Sequence, residues 1–285
     1  MINKIILGTA QFGLDYGINN LEGKPNKENV FKILDFARES GIQILDTADA
    51  YGNSKEILGE YLKKNNFSFK INSKFNNTNL KLEEKTYNSL EILNISYFNT
   101  YFFHDYLDFE NDNNLLKSLI NLKSDGVIKK IGLSVYNNNE FNKAILNKQV
   151  DVIQLPFNLL DNYRQRGGLL KKAKLYRKEI HVRSIFLQGL FFKNLPILDR
   201  KITVLNPYLY ELQNLAINYN ISMLNMAMNY VLYQEEVDYV IIGIDKISHL
   251  SELLSQMEGM IPIDLINKIN DINVSEVEML YPKNW

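Results

Sequence analysis

The chain of 285 residues contains no cysteine, one tryptophan, three histidines and six prolines. The absence of cysteine excludes disulfides, a thiolate nucleophile and thiolate metal sites, and it suits a reducing, cytoplasmic location. The histidines, His104, His181 and His249, never form a close His-x-His pair, so a metal-dependent barrel hydrolase lacks ligands and no metal is expected. With a formal net charge of −1, bulk electrostatics gives no reason to expect nucleic acid or a membrane surface as a partner. No apolar run is long enough to span a bilayer, and Met1-Ile2-Asn3-Lys4 leads straight into a strand without signal-peptide character. No Gly-x-Gly-x-x-Gly follows a strand, which argues against a Rossmann dinucleotide site.

What remains is an ordinary globular composition, 46% hydrophobic and 23% charged. Short apolar runs alternate with segments of helical periodicity along the whole chain. The runs are Lys4–Gly8, Ile42–Leu45, Phe69–Lys74, Thr100–His104, Ile128–Val135, Val152–Leu155, Ile180–Ile185 and Tyr239–Ile242. Between them, Asn26 is placed to cap a helix carrying Val30, Ile33, Leu34 and Ala37 up to the stop at Gly41. Further helices are expected over Ser54–Asn65, Lys81–Leu93, Asn113–Asp125, Asn139–Leu146, Leu169–Lys178 and Ile247–Met257. A helix pair, Tyr208–Asn218 and Ser222–Tyr233, precedes the last strand, and a short helix lies in the tail from Pro262. Such alternation implies a parallel sheet with crossover helices. A count of eight favours closure into a (β/α)8 TIM barrel, and with no linker or composition break residues 1–285 read as a single domain.

The ends of the strands carry the chemistry. Asp46 and Tyr51 follow the second strand in Leu45-Asp46-Thr47-Ala48-Asp49-Ala50-Tyr51-Gly52, Lys74 closes the third and His104 the fourth. Parallel barrels keep their active residues at this face. A phenol is a poor acid near neutrality unless a cation stands beside it, and Lys74 is that cation. Taken singly, each residue has a plainer reading as a cap, a surface charge, turn packing or a hydrogen-bonded side chain. In this order and at these strand ends they form a coherent set.

Asp-Thr-Ala-x-x-Tyr-Gly, followed by strand-end Lys74 and His104, resembles the catalytic tetrad of the aldo-keto reductases. Leu7-Gly8-Thr9-Ala10-Gln11-Phe12-Gly13 is similar to that family's first strand and loop, and the likeness runs from Lys4 to about Leu254. The resemblance implies reduction of an aldehyde or ketone by a nicotinamide cofactor, with Tyr51 as general acid. Lys74, held by Asp46, would lower the pKa of Tyr51, and His104 would orient the carbonyl. It places the cofactor against Gly8, Thr9, Ala10, Ser134, Gln154, Arg183, Ser184, Gly243, Lys246, Ser248 and Glu252. Asn158 stands nearby as support. Loops at Gly189-Leu190 and after Gly243 are where such barrels often hold phosphates.

Two positions depart from the family pattern. Val135 stands where many members have Asn, and Arg183 where many have a Tyr that stacks on the nicotinamide; Phe186 is the nearby aromatic that could replace it. Lys246 and Ser248 favour NADP(H) modestly, NAD(H) staying open because Asp245 adjoins them and no arginine is near. The substrate, a small aldehyde or sugar-like carbonyl compound, would meet Gln11, Phe12, Tyr16 and Phe157. Arg164, Arg166 and Gly167-Gly168 read as a basic surface loop. The alternative function is a dinucleotide-binding sensor or regulatory subunit with little turnover. The sequence assigns no oligomeric state.

Overall fold

The computed structural model describes residues 1–20, 22–65, 69–76, 81–257 and 259–285. Eight strands close a barrel in chain order: β1 (Ile5–Gly8), β2 (Ile44–Asp46), β3 (Lys70–Phe75), β4 (Phe98–Phe103), β5 (Ile128–Ser134), β6 (Val152–Pro156), β7 (Glu179–Arg183) and β8 (Tyr239–Gly243). Every pairing is parallel, and β1 meets β8 from Ile5↔Val240 to Gly8↔Gly243. Around the barrel run α1 (Ala10–Gly13), α2 (Lys27–Glu39), α3 (Ser54–Lys64), α4 (Leu82–Leu93), α5 (Tyr106–Asn111), α6 (Asn113–Ser124), α7 (Asn138–Leu146), α8 (Tyr163–Leu175), α9 (Asn206–Asn218), α10 (Met223–Leu232), α11 (Ile247–Gln256) and α12 (Ile263–Asp271). Among the described residues no helix is long and apolar enough to cross a membrane.

Successive side chains of a strand point to opposite faces. Leu7, Leu45, Ile71, Val240 and Ile242 therefore face the helices and join the main core, which contains Val30, Ile33 and Leu34 of α2 and Leu250 and Leu253 of α11. The alternate set, Ile6, Ile44 and Ile241, forms a separate apolar layer packed with Tyr239. Gly8, Asp46 and Gly243 lie two residues further along these same strands, so alternation carries them to the mouth of the barrel interior. His181 belongs to the interior floor: its Nε2 is 2.8 Å from Glu179 Oε1, and its ring lies between Phe102 and Tyr239.

Asn26 does cap α2, its Oδ1 accepting from Asn29 N at 2.9 Å. The sixth crossover differs from expectation. Its helix begins at Tyr163, six residues before Leu169, because Asn162 Oδ1 accepts from Arg164 N at 3.1 Å and starts it early. The pair Gly167-Gly168 lies inside that helix, where a Cβ on Gly167 would come within 2.5 Å of the Tyr163 ring. Arg164 and Arg166 are thus helical, and Arg166 is no surface charge. It is 1% exposed, with Nε and Nη2 each donating to Asp161 at 2.7 Å and Nη2 also reaching Tyr136 O at 2.6 Å. The short helices α1 and α5 were not expected, and several strand ends shift by one or two residues.

Breaking one partner of a buried, bidentate ion pair leaves an uncompensated charge. Arg166→Ala is expected to cost about 3–5 kcal/mol, read from the urea midpoint and slope.

Candidate active site

The Tyr51 loop is fixed by backbone contact. Gly13 ends α1 and lies so close to it that a Cβ there would sit 1.8 Å from Tyr51 O, and one on Gly52 would meet Gly13 O at 2.3 Å. Gly52 also needs its positive φ of 52°. Hydroxyls complete the anchor: Ser54 Oγ donates to Thr9 Oγ1 at 2.9 Å, and Thr9 Oγ1 donates to Asp46 O at 3.1 Å. These contacts hold Tyr51 over the end of β3.

The structure brings the four expected residues together. Lys74 Nζ donates to Asp46 Oδ1 and lies 3.3 Å from Tyr51 OH. Gln154 Nε2 donates to the other Asp46 oxygen at 3.1 Å. Burial alone would lower the Lys74 pKa, but the Asp46 carboxylate and the Tyr51 oxygen together outweigh it and hold the ammonium above its ordinary value. His104 stands edge-on to Tyr51, ring centroids 6.1 Å apart. Burial, and then the positive charges of Lys74 and Arg183, push its pKa down to about 4, so it is neutral at physiological pH.

Asn76, which sequence reasoning missed, holds His104: its Oδ1 lies 2.9 Å from His104 Nδ1. Asn76 is in turn held by Asp49, whose Oδ2 accepts from Asn76 N at 3.3 Å, and by Lys85, which donates to Asn76 O at 2.6 Å. Asp49 also pairs with Lys55 and Lys85. Its position two residues beyond Lys74 was the available signal for Asn76.

A cleft of about 920 Å³ opens over these residues. Of the expected cofactor residues, Gly8, Thr9, Ala10, Ser134, Gln154, Arg183, Ser184, Gly243 and Glu252 line it, as do Gln11 and Tyr16 of the expected substrate set. Four others do not. Phe12 is fully buried, because the single turn of α1 turns it into the core. Phe157 is also buried, stacked on Tyr230 of α10 with centroids 5.7 Å apart. Lys246 bonds Glu22 Oε1 at 2.6 Å, and neither it nor Ser248 lines the cleft. Asn158 lies beneath the cleft and supports it indirectly, donating to Ser184 O at 3.1 Å. Tyr136, Gln188, His249 and Lys283 line the cleft and were not expected. Tyr136 carries Arg183 and Lys283 over its ring at 4.3 and 4.1 Å. Lys283 is remote in sequence and gave no local signal.

The arrangement fits a nicotinamide dinucleotide. The volume lies near the top of the roughly 300–1,000 Å³ range of ligand pockets and reaches from Tyr51 to the start of α11. Gln11 Oε1, in its lining, is a buried acceptor with no partner among the described residues. No group of three or more His, Asp or Glu placed to hold a metal ion occurs among those residues.

An eight-stranded parallel barrel with this tetrad at its C-terminal mouth defines an oxidoreductase of the aldo-keto reductase type. The sequence pattern of the Aldo/keto reductase family matches residues 4–274, and the chain belongs to that family. It is 25% identical over 271 residues to the uncharacterized oxidoreductase YqkF of Bacillus subtilis (strain 168), covering 86% of this chain and 88% of that protein. Its fold is like that of the holo form of aldo-keto reductase AKR11C1 from Bacillus halodurans, with a TM-score of 0.77 at 19% identity over 99% of this chain and 94% of the other. It is also like that of the glycerol dehydrogenase AKR11B4 from Gluconobacter oxydans, with a TM-score of 0.73 at 20% identity over 94% and 90%.

Because His104 is held neutral, its imidazole is expected to show no protonation between pH 5 and 8 in an NMR titration. An inflection near the ordinary value of about 6.5 would contradict the depressed pKa.

Proposed function

We propose that the protein reduces the carbonyl group of a small aldehyde or ketone to an alcohol with a nicotinamide cofactor, Tyr51 acting as the general acid. The contact between Tyr51 OH and Lys74 Nζ, at 3.3 Å, with Lys74 buried against Asp46, carries this reading. When bound, the reduced nicotinamide supplies the hydride that no side chain can provide.

This chain's own residues supply the proton and its placement. As the carbonyl carbon is reduced, its oxygen takes the proton of the Tyr51 hydroxyl, and the ammonium of Lys74 stabilises the phenolate left behind. Asp46 keeps that ammonium charged and in place. Neutral His104 donates Nδ1–H to Asn76 Oδ1, which leaves its other ring nitrogen a bare acceptor, a partner for a hydroxyl of the substrate or of the alcohol product. In the reverse direction the tyrosine oxygen accepts the proton of an alcohol. Ser134, Gln154 and Arg183 are the candidates for holding the carboxamide end of the cofactor, with Gly8, Thr9 and Ala10 beneath it.

The lining suits a small polyhydroxy or sugar-like carbonyl compound. Gln11, Tyr16, Asn19 and Gln188 offer hydrogen bonds beside the apolar faces of Phe186 and Phe192. Tyr16 remains a neutral phenol, its pKa raised by burial and by Tyr51 beside it.

Tyr51→Phe is expected to lower carbonyl reduction by about 10²–10⁴-fold while leaving cofactor binding nearly intact. Steady-state rates with a panel of aldehydes and ketones, set beside fluorescence titration of the cofactor, check this; unchanged turnover removes Tyr51 from the mechanism. Lys74→Met should stop turnover or raise the pKa that governs it, and adding Asp46→Asn should cost little more. Groups that act as one unit lose function non-additively, so fully additive losses in the double mutant would count against a shared network.

A further inference from the structure

We infer that the cleft prefers the dinucleotide whose adenosine ribose carries no phosphate, NADH over NADPH, and that Asp245 with Glu252 makes the choice. The inference rests on the reading of this cleft as a nicotinamide dinucleotide site. From the end of β8 through α11 the cleft is lined by Gly243, Ile244, Asp245, His249, Glu252 and Leu253, while Lys283, a lining residue from the C-terminal tail, stands over the Tyr136 ring. Among the lining residues from β8 through α11, two are carboxylates and none is a lysine or arginine. Among the described residues Asp245 makes no salt bridge with a lysine or arginine; its Oδ1 is bonded to His249 Nδ1 at 2.7 Å, and the adjacent Lys246 feels its charge while bonding Glu22.

The lysine expected to favour the phosphorylated cofactor does not face this space. Lys246 caps α11 with its backbone, while its ammonium bonds Glu22 on the loop before α2. Ser248, the hydroxyl expected to help it, is likewise outside the lining. The amide groups opening α11 still favour an anion, but they amount to roughly half a charge spread over one turn. Two full carboxylates stand against them.

The chemistry of the two cofactors then separates. A ribose 2′-hydroxyl is a donor, and an acidic side chain that accepts from it is the usual partner of an unphosphorylated dinucleotide, as an arginine is of the phosphorylated one. A 2′-phosphate is a dianion that offers only acceptors at neutral pH, so it would lose a hydrogen bond and gain a repulsion at the same place. The repulsion is partly exposed and therefore sensitive to salt. A preference for NADH of about tenfold or more is expected at low ionic strength, and it should shrink as salt is added.

The test is fluorescence titration of NADH and NADPH against the full chain at low and high salt, repeated with Asp245→Asn and Glu252→Gln. Asp245→Asn keeps the shape of the side chain and removes its charge. Native protein that binds NADH about tenfold tighter, with the ratio falling in salt and collapsing towards one in Asp245→Asn, supports the inference. Native protein that binds NADPH as well as or better than NADH overturns it. So does a ratio that neither substitution moves. NADPH preference with carbonyl reduction intact overturns this inference alone, whereas failure to bind either dinucleotide overturns the proposed function with it.

Discussion

The buried pair of Lys74 and Asp46 is the constraint around which the site is built. An ammonium 1% exposed is costly unless its partner is fixed, and here the partner is fixed twice, by Lys74 and by Gln154. Those three residues come from β3, β2 and β6, so the pair also ties distant strands across the barrel mouth. The charge that makes Tyr51 useful as an acid exists only in the closed barrel. In the unfolded chain the same lysine would be solvated and the tyrosine an ordinary phenol.

Each element of the site follows from the strand alternation. A residue that faces inward at the last position of a barrel strand has nowhere to go but the mouth, and Gly8, Asp46, Ser134, Arg183 and Gly243 all occupy such ends. This is why the fold and the tetrad were legible in the sequence: apolar runs of regular spacing gave the strands, and polar residues interrupting their ends marked the face. The regular capping residue Asn26 was equally readable. Asn162 was not, because the glycine pair five residues on suggested a loop and hid an early helix start.

What stayed hidden depends on side-chain direction within irregular segments. Gln11 and Phe12 are neighbours, yet a single helical turn sends one to the cleft and the other into the core, a division no periodicity over so short a stretch reveals. Lys246 and Asp245 are also neighbours, and an ion pair with Glu22, more than 200 positions away in the chain, draws the lysine out of the site. Lys283 belongs to it only because the C-terminal turn, held by Trp285 Nε1 donating to Met279 O at 2.9 Å, brings it over the ring of Tyr136, two residues past β5. Long-range contacts of this kind are decided by the tertiary structure, after local pattern has been spent.

The contact of Gly13 with Gly52 bears on when the ordering of the catalytic loop is paid for. Glycine loses more backbone freedom on folding than any other residue, and both partners lose it as the barrel closes, before any ligand arrives. Backbone seated on backbone has no rotamers through which to relax, so the phenol rests on a support whose disorder has already been removed. Substrate then meets a proton donor at an effectively fixed address, and little of its own binding energy is drawn off to arrange the loop.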